Sequence, residues 1–131
     1  MSILDQIYEK AKQNPQRVAF PEAENEKMMQ AAYETGKDGY IIPILVGDAK
    51  KLKDLSEERG YDSSVFRFVD IQEEEYKNKL IGMYVAQPGR FLKEKALARR
   101  MQDPLYYAMV MQAVEEVEVT FAGIDNTTGD V

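Results

Sequence analysis

Apolar residues recur along this chain in two rhythms, one helical and one strand-like, and their alternation predicts the fold. Ile3, Leu4, Ile7, Tyr8 and Ala11 form one stripe at helical spacing, with Ser2 and Asp5 as a weak capping box and Asn14 and Pro15 as the stop. The run 17–20 (RVAF), closed by Pro21, reads as a short buried strand. A helix is predicted over 24–35, turning Met28, Met29, Ala31, Ala32 and Tyr33 inward and ending at Gly36 or Gly39. The most apolar stretch, 40–46 (YIIPILV), contains Pro43, which cannot donate to a strand ladder. That strand is therefore expected either at an edge or after the proline, over 43–46.

Gly47 and Asp48 turn the chain into a helix over 49–59, with Leu52 and Leu55 inward, Lys50, Lys51, Lys53, Glu57 and Glu58 outward, and Gly60 just past the end. A strand over 65–71 follows, with Phe66, Phe68 and, as an alternative, Val69 inward. Glu73, Glu74 and Glu75 open the next helix, where carboxylates favour the positive end of the dipole, and Gln87, Pro88 and Gly89 break it. A helix over 91–101 turns Leu92, Ala96 and Leu97 inward and carries a basic side of Lys93, Lys95, Arg99 and Arg100. Asp103 and Pro104 fit the N-cap and first position of a helix over 105–114, which is apolar nearly all round and so predicted to be central and buried. Val117, Val119 and Phe121 then alternate with Glu118 and Thr120 in a strand over 117–122.

Strands alternating with helices specify an α/β fold: a three-layer domain with a parallel sheet and helices on both faces. The 131 residues suit one such domain. A strand's exit in a complete α/β domain feeds another helix, so the stop at Val131 leads to the expectation that the sequence is part of something larger.

Composition narrows the chemistry. The chain has no cysteine and no histidine, which excludes a disulfide, a thiol nucleophile, a Cys/His zinc site and an imidazole base. Acids and bases must come from Asp, Glu, Lys or Tyr. A net charge of −6 argues against nucleic acid as a partner, though a small phosphorylated ligand remains compatible. No apolar run suits a membrane span and no secretory signal is visible in the first residues, so neither a membrane nor secretion is expected and the location expected is cytoplasmic.

The candidate site is the stretch 121–131 (FAGIDNTTGDV), where the last strand opens into a polar turn. Gly123 allows close backbone approach, and Asn126, Thr127, Thr128 and Asp130 supply amide, hydroxyl and carboxylate groups at a strand's carboxyl end, where α/β sheets bind ligands. On these residues alone, a polar loop with a helix cap is the plainer reading.

Three stretches change that balance. RVAFPEAENEKMMQAA (17–32), PILVGDAKKLKDL (43–55), and DPLYYAMVMQAV (103–114) followed by AGIDNTTGDV (122–131) together resemble the amino-terminal part of the phosphate acetyltransferase and phosphate butyryltransferase family. The resemblance implies that residues 1–131 form the amino-terminal α/β domain of a two-domain, isopropylmalate-dehydrogenase-like enzyme, the second domain being absent. The implied reaction moves an acetyl or butyryl group between coenzyme A and inorganic phosphate. Coenzyme A, acyl phosphate and phosphate are then substrates, and no metal or redox cofactor is required. Substrate binding is expected at Gly123, Asn126, Thr127, Thr128 and Asp130, with the main catalytic groups in the missing half. The family implies a homo-oligomer, or pairing with a second domain, and an isolated chain with little or no activity.

Some residues depart from the family pattern. An arginine-containing helix would continue past Val131, Glu115, Glu116, Val117, Glu118 and Val119 replace a small glycine-containing lead-in, Arg90 alone stands beside Gly89 where a basic cluster is frequent, and Ile124 and Asp125 replace smaller or neutral residues. The acyl preference stays open. The competing reading is a non-catalytic anion-binding or assembly module that pairs with a second chain.

Overall fold

The computed structural model describes residues 13–89 and 92–122. The helix expected over the first residues and the turn 123–131, with all five candidate site residues, lie outside that range, as does Arg90. Strand β1 (Gln16–Phe20) leads into helix α1 (Glu26–Lys37), strand β2 (Ile41–Gly47) and helix α2 (Ala49–Glu58). A 3₁₀ turn (Ser63–Val65) precedes strand β3 (Arg67–Asp70), and helices α3 (Glu74–Val85), α4 (Glu94–Arg100) and α5 (Pro104–Ala113) precede strand β4 (Val119–Thr120). The four strands form one parallel sheet in the order β3-β2-β1-β4.

Period-two alternation splits the strand side chains between two cores. Val18, Phe20 and Leu45 face Met28, Met29 and Ala32 of α1 and Leu52 of α2. Ala19, Ile44 and Val46 face Leu80, Ile81, Leu97, Tyr107, Val110 and Met111 from α3, α4 and α5. The architecture is therefore the predicted three-layer α/β sandwich. Burying each large apolar side chain in these layers contributes about 1.5–3 kcal/mol.

Helix ends follow their local chemistry. Asn25, Asp48 and Asp103 accept from the amides of Met28, Lys51 and Leu105, as their cap positions predict, and Glu73 accepts from Glu75 and Tyr76. Three helices close with the same pair of backbone bonds. Gly39 and Tyr40 donate to Gly36 and Thr35 after α1, Gly60 and Tyr61 to Glu57 and Ser56 after α2, and Glu115 and Glu116 to Gln112 and Met111 after α5. This motif requires a left-handed residue, and at the third site that residue is Glu115, with φ 66°. A glycine would adopt this conformation without strain, and here a glutamate does.

Four expectations are corrected and one alternative is decided. Strand β2 starts at Ile41, before Pro43, and is interior. The proline is tolerated because the Gly47 carbonyl, on the same side of the strand as residue 43, points to β3, whose pairing begins only at Ile44 with Arg67. At Pro43 that side is locally an edge. Of the two glycines expected at the end of α1, Gly39 is the one just past it, with φ 84°, while Gly36 lies inside the helix, where an added Cβ would sit 2.5 Å from Pro43 Cγ. The strand expected over 65–71 is shortened because Asp62 caps a 3₁₀ turn through Ser64. Helix α5 is not buried all round, since Met109 is 53% exposed. Of the alternating residues in the last strand only Val117 is buried, while Val119 and Phe121 are 37% and 46% exposed, because no described helix covers that face of the edge strand.

Two substitutions test this account with opposite signs. Gly36→Ala should lower stability by about 1–3 kcal/mol in urea denaturation, because the clash with the Pro43 ring outweighs the gain of roughly 1 kcal/mol that alanine brings to a helix. Glu115→Gly should raise stability by about 0.5–1 kcal/mol by relieving a left-handed L-residue. Equal signs for both would contradict the packing described.

Candidate functional site

The two halves of the sheet are wound in opposite directions. The β1–α1–β2 and β2–α2–β3 crossovers step one way with helices on one face, and the chain then returns through α3, α4 and α5 on the other face to place β4 against the far side of β1. Right-handed crossovers impose this change of face with the change of direction. The carboxyl ends of β1 and β4 therefore flank a topological switch point, the position at which open α/β sheets form their ligand crevice.

Edge strand β4 is held to β1 along its length. Glu118 N donates to the Arg17 carbonyl and Phe121 N to the Ala19 carbonyl, with Val18 opposite Val119 and Ala19 opposite Thr120. At the amino end the Glu118 carboxylate accepts from Arg17 N at 2.7 Å and from the Arg17 guanidinium, which also donates to the Glu115 carbonyl at 3.0 Å. This guanidinium holds the Glu118 carboxyl below the usual range. At the carboxyl end the rings of Phe20 and Phe121 meet at 5.7 Å. Ala122 follows, and the predicted turn begins with the next residue.

The other wall of the crevice is the turn from β1 into α1. Pro21 and Ala23 are buried, and Arg59 Nη2 donates to the Glu24 carbonyl at 2.7 Å while Lys51 Nζ lies 3.1 Å from the Glu24 carboxylate. In the sequence Arg59 marks only the end of the helix predicted over 49–59. Periodicity carries no signal for a long side chain that reaches from one helix end to a neighbouring turn.

This described rim is acidic. Glu22 and Glu24 follow β1, Asp48 caps α2, Asp70 ends β3 and Glu73 caps α3. Burial first, then the charges of Glu73 and Asp70, pushes the Tyr107 phenol above its ordinary range, and its hydroxyl is buried without a hydrogen-bond partner among the described residues. Burial likewise raises Tyr76, which donates to Glu116 at 3.0 Å. The rim gives structure to a crevice but does not itself favour a phosphate. Among the described residues no group of three or more acidic or metal-ligating side chains could hold a metal ion, and no helix is long and apolar enough to cross a membrane.

A family model described as phosphate acetyl/butaryl transferase matches residues 2–131. The chain belongs to this family. It is similar to the phosphate acetyltransferase of Acetivibrio thermocellus, at 28% identity over 99% of this chain and 39% of the relative. The phosphate acetyltransferase of Clostridium acetobutylicum is 27% identical over 100% of this chain and 40% of the relative. The fold is that of a phosphotransacetylase from Streptococcus pyogenes, with a TM-score of 0.78 at 18% identity, covering 92% of this chain and 37% of that one. The EutD phosphotransacetylase from Staphylococcus aureus superposes with a TM-score of 0.75 at 20% identity, covering 87% and 34%. The chain thus spans about two fifths of the length of these phosphate acetyltransferases. The family match includes Gly123, Asn126, Thr127, Thr128 and Asp130, which lie outside the described residues.

The tie between Arg17 and Glu118 is testable by pH. Because the folded carboxyl titrates below its unfolded value, its contribution is present at neutral pH and is lost as pH falls through and below the ordinary glutamate range. Glu118→Gln should lower stability at pH 7 by a small amount, as expected for a solvent-screened pair, and the difference from wild type should shrink in acid. Amide exchange at Phe121 should quicken in the variant at pH 7. A cost that is independent of pH would contradict the ion pair's part in holding β4.

Proposed function

We propose that this domain serves acyl transfer between coenzyme A and inorganic phosphate, by way of the turn 123–131. The observation that carries the reading is the position of Ala122: β4 ends beside β1 at the switch point, and Gly123 is the next residue of a chain that the family matches over residues 2–131. In the direction of acyl coenzyme A formation, the deprotonated thiol attacks the acyl phosphate carbonyl carbon. The C–S bond forms, the bond from that carbon to the bridging phosphate oxygen breaks, and inorganic phosphate leaves. The thiol proton passes to a base. Charge grows on the acyl oxygen and the departing phosphate, so donors held in place lower the barrier. The Thr127 and Thr128 hydroxyls, the Asn126 amide and neighbouring backbone amides fill that role, Gly123 permits close approach, and Asp130 caps the next segment or orients a cation.

The acidity of the described rim supports a division of labour. Cations that neutralise phosphate, and the base for the thiol, come from the part of the longer relatives that this chain does not span, as a second domain or another subunit. The 131-residue chain alone therefore turns over slowly or not at all. The reaction needs no metal or redox group, its substrates are coenzyme A with acetyl or butyryl phosphate, and it takes place in the cytoplasm.

The test is a chimera in which residues 1–131 replace the aligned part of the Acetivibrio thermocellus enzyme, assayed for coenzyme A acylation from acetyl phosphate and butyryl phosphate. The chimera should be active, and Thr128→Ala should lower its rate by about 10²–10³, the loss typical of an oxyanion donor. A folded chimera that is inactive, or indifferent to Thr128→Ala, overturns the proposal.

A further inference from the structure

The turn from β1 into α1 owes its shape to local bonds. The Asn25 amide donates to the Glu22 carbonyl at 3.0 Å, and the Asn25 side chain accepts from Met28 N at 3.1 Å. These bonds leave open how far the turn leans toward β4 or away from it. Two cations from α2 act on that lean. Arg59, just past the last turn of α2, donates through Nη2 to the Glu24 carbonyl at 2.7 Å and through Nη1 to Sδ of the buried Met29 at 3.5 Å. Lys51, in the first turn, places Nζ 3.1 Å from the Glu24 carboxylate, but both side chains are more than half exposed and this pair holds little. Arg59 pairs with no carboxylate among the described residues. Its charge is directed at a backbone carbonyl, a bond roughly twice as strong as one between neutral groups. Helix α2 packs over β2 and β3, on the side of β1 away from β4, so both contacts draw the turn away from β4.

We propose that Arg59 is a positioning residue that holds this wall of the crevice open, and that the width it sets determines how long an acyl chain the crevice accepts. The inference rests on the proposed acyl transfer, with the acyl group lying between this wall and the exit of β4. Released from Arg59, the turn is free to lean toward β4, and the longer chain loses its space first. A lysine replaces the arginine only in part, because one ammonium does not reach a carbonyl and a thioether in two directions as the planar fork does.

The test uses the chimera with the Acetivibrio thermocellus enzyme, supplied with acetyl phosphate and propionyl phosphate, which differ by one methylene. Arg59→Met keeps a stem beside Met29 and removes the guanidinium. It should lower the ratio of kcat/KM for propionyl over acetyl phosphate by about tenfold, the scale of one methylene in a fitted pocket, with Arg59→Lys falling between. Amide exchange at Asn25 should quicken in Arg59→Met and stay unchanged at Leu80 in α3. A ratio that is unchanged or raised overturns the proposal, including an equal loss with both substrates, which is what a general loss of stability gives. Unchanged exchange at Asn25 overturns it too. In these cases the proposed reaction stands as long as the parent chimera is active, whereas a folded parent chimera without activity overturns both.

Discussion

Everything in this domain depends on the parallel pairing of β4 with β1. The two strands come from opposite ends of the described chain, joined by a short ladder, the clamp of Arg17 on the Glu118 carboxylate and the contact of the Phe20 and Phe121 rings. That pairing makes β1 an interior strand with helices reached in two directions. It also converts an α/β sandwich into one with a switch point, and thereby determines where a ligand crevice can form. Without it, Ala122 would have no fixed relation to the turn after Phe20.

The two sides of the crevice are built unequally. The β1 wall is fixed by buried Pro21 and Ala23 and by Arg59 reaching across from the end of α2. The β4 wall is an edge strand with Val119 and Phe121 exposed on one face. The rigid wall carries acidic helix caps, so under the proposed function most of the charge neutralisation falls to groups outside the described residues. This matches a chain that spans about two fifths of its relatives.

Much of the fold was legible because burial and periodicity coincide in it. Met28, Met29 and Ala32 mark the inner face of α1, Leu52 that of α2, and Asp103 with Pro104 the start of α5, each by a local rule that tertiary packing did not override. The misses share a cause. Pro43 is tolerated by the late start of a neighbouring strand, Gly36 is required by a proline seven residues later, and Val119 is exposed by the sheet's handedness. None of these follows from a window of adjacent residues. The residues proposed to bind substrate were visible as a composition of hydroxyl, amide and glycine after a strand, and the described structure supplies their point of departure at Ala122. The clamp of Arg17 on Glu118 was not legible, because 101 residues separate its partners.

The most direct test of a ligand crevice between β1 and β4 is amide hydrogen exchange on the two-domain chimera, with and without coenzyme A and inorganic phosphate. Slower exchange at Thr127, Thr128 and the β1–α1 turn on adding the ligands is the predicted result. Protection confined to other elements, with those amides unchanged, would contradict it.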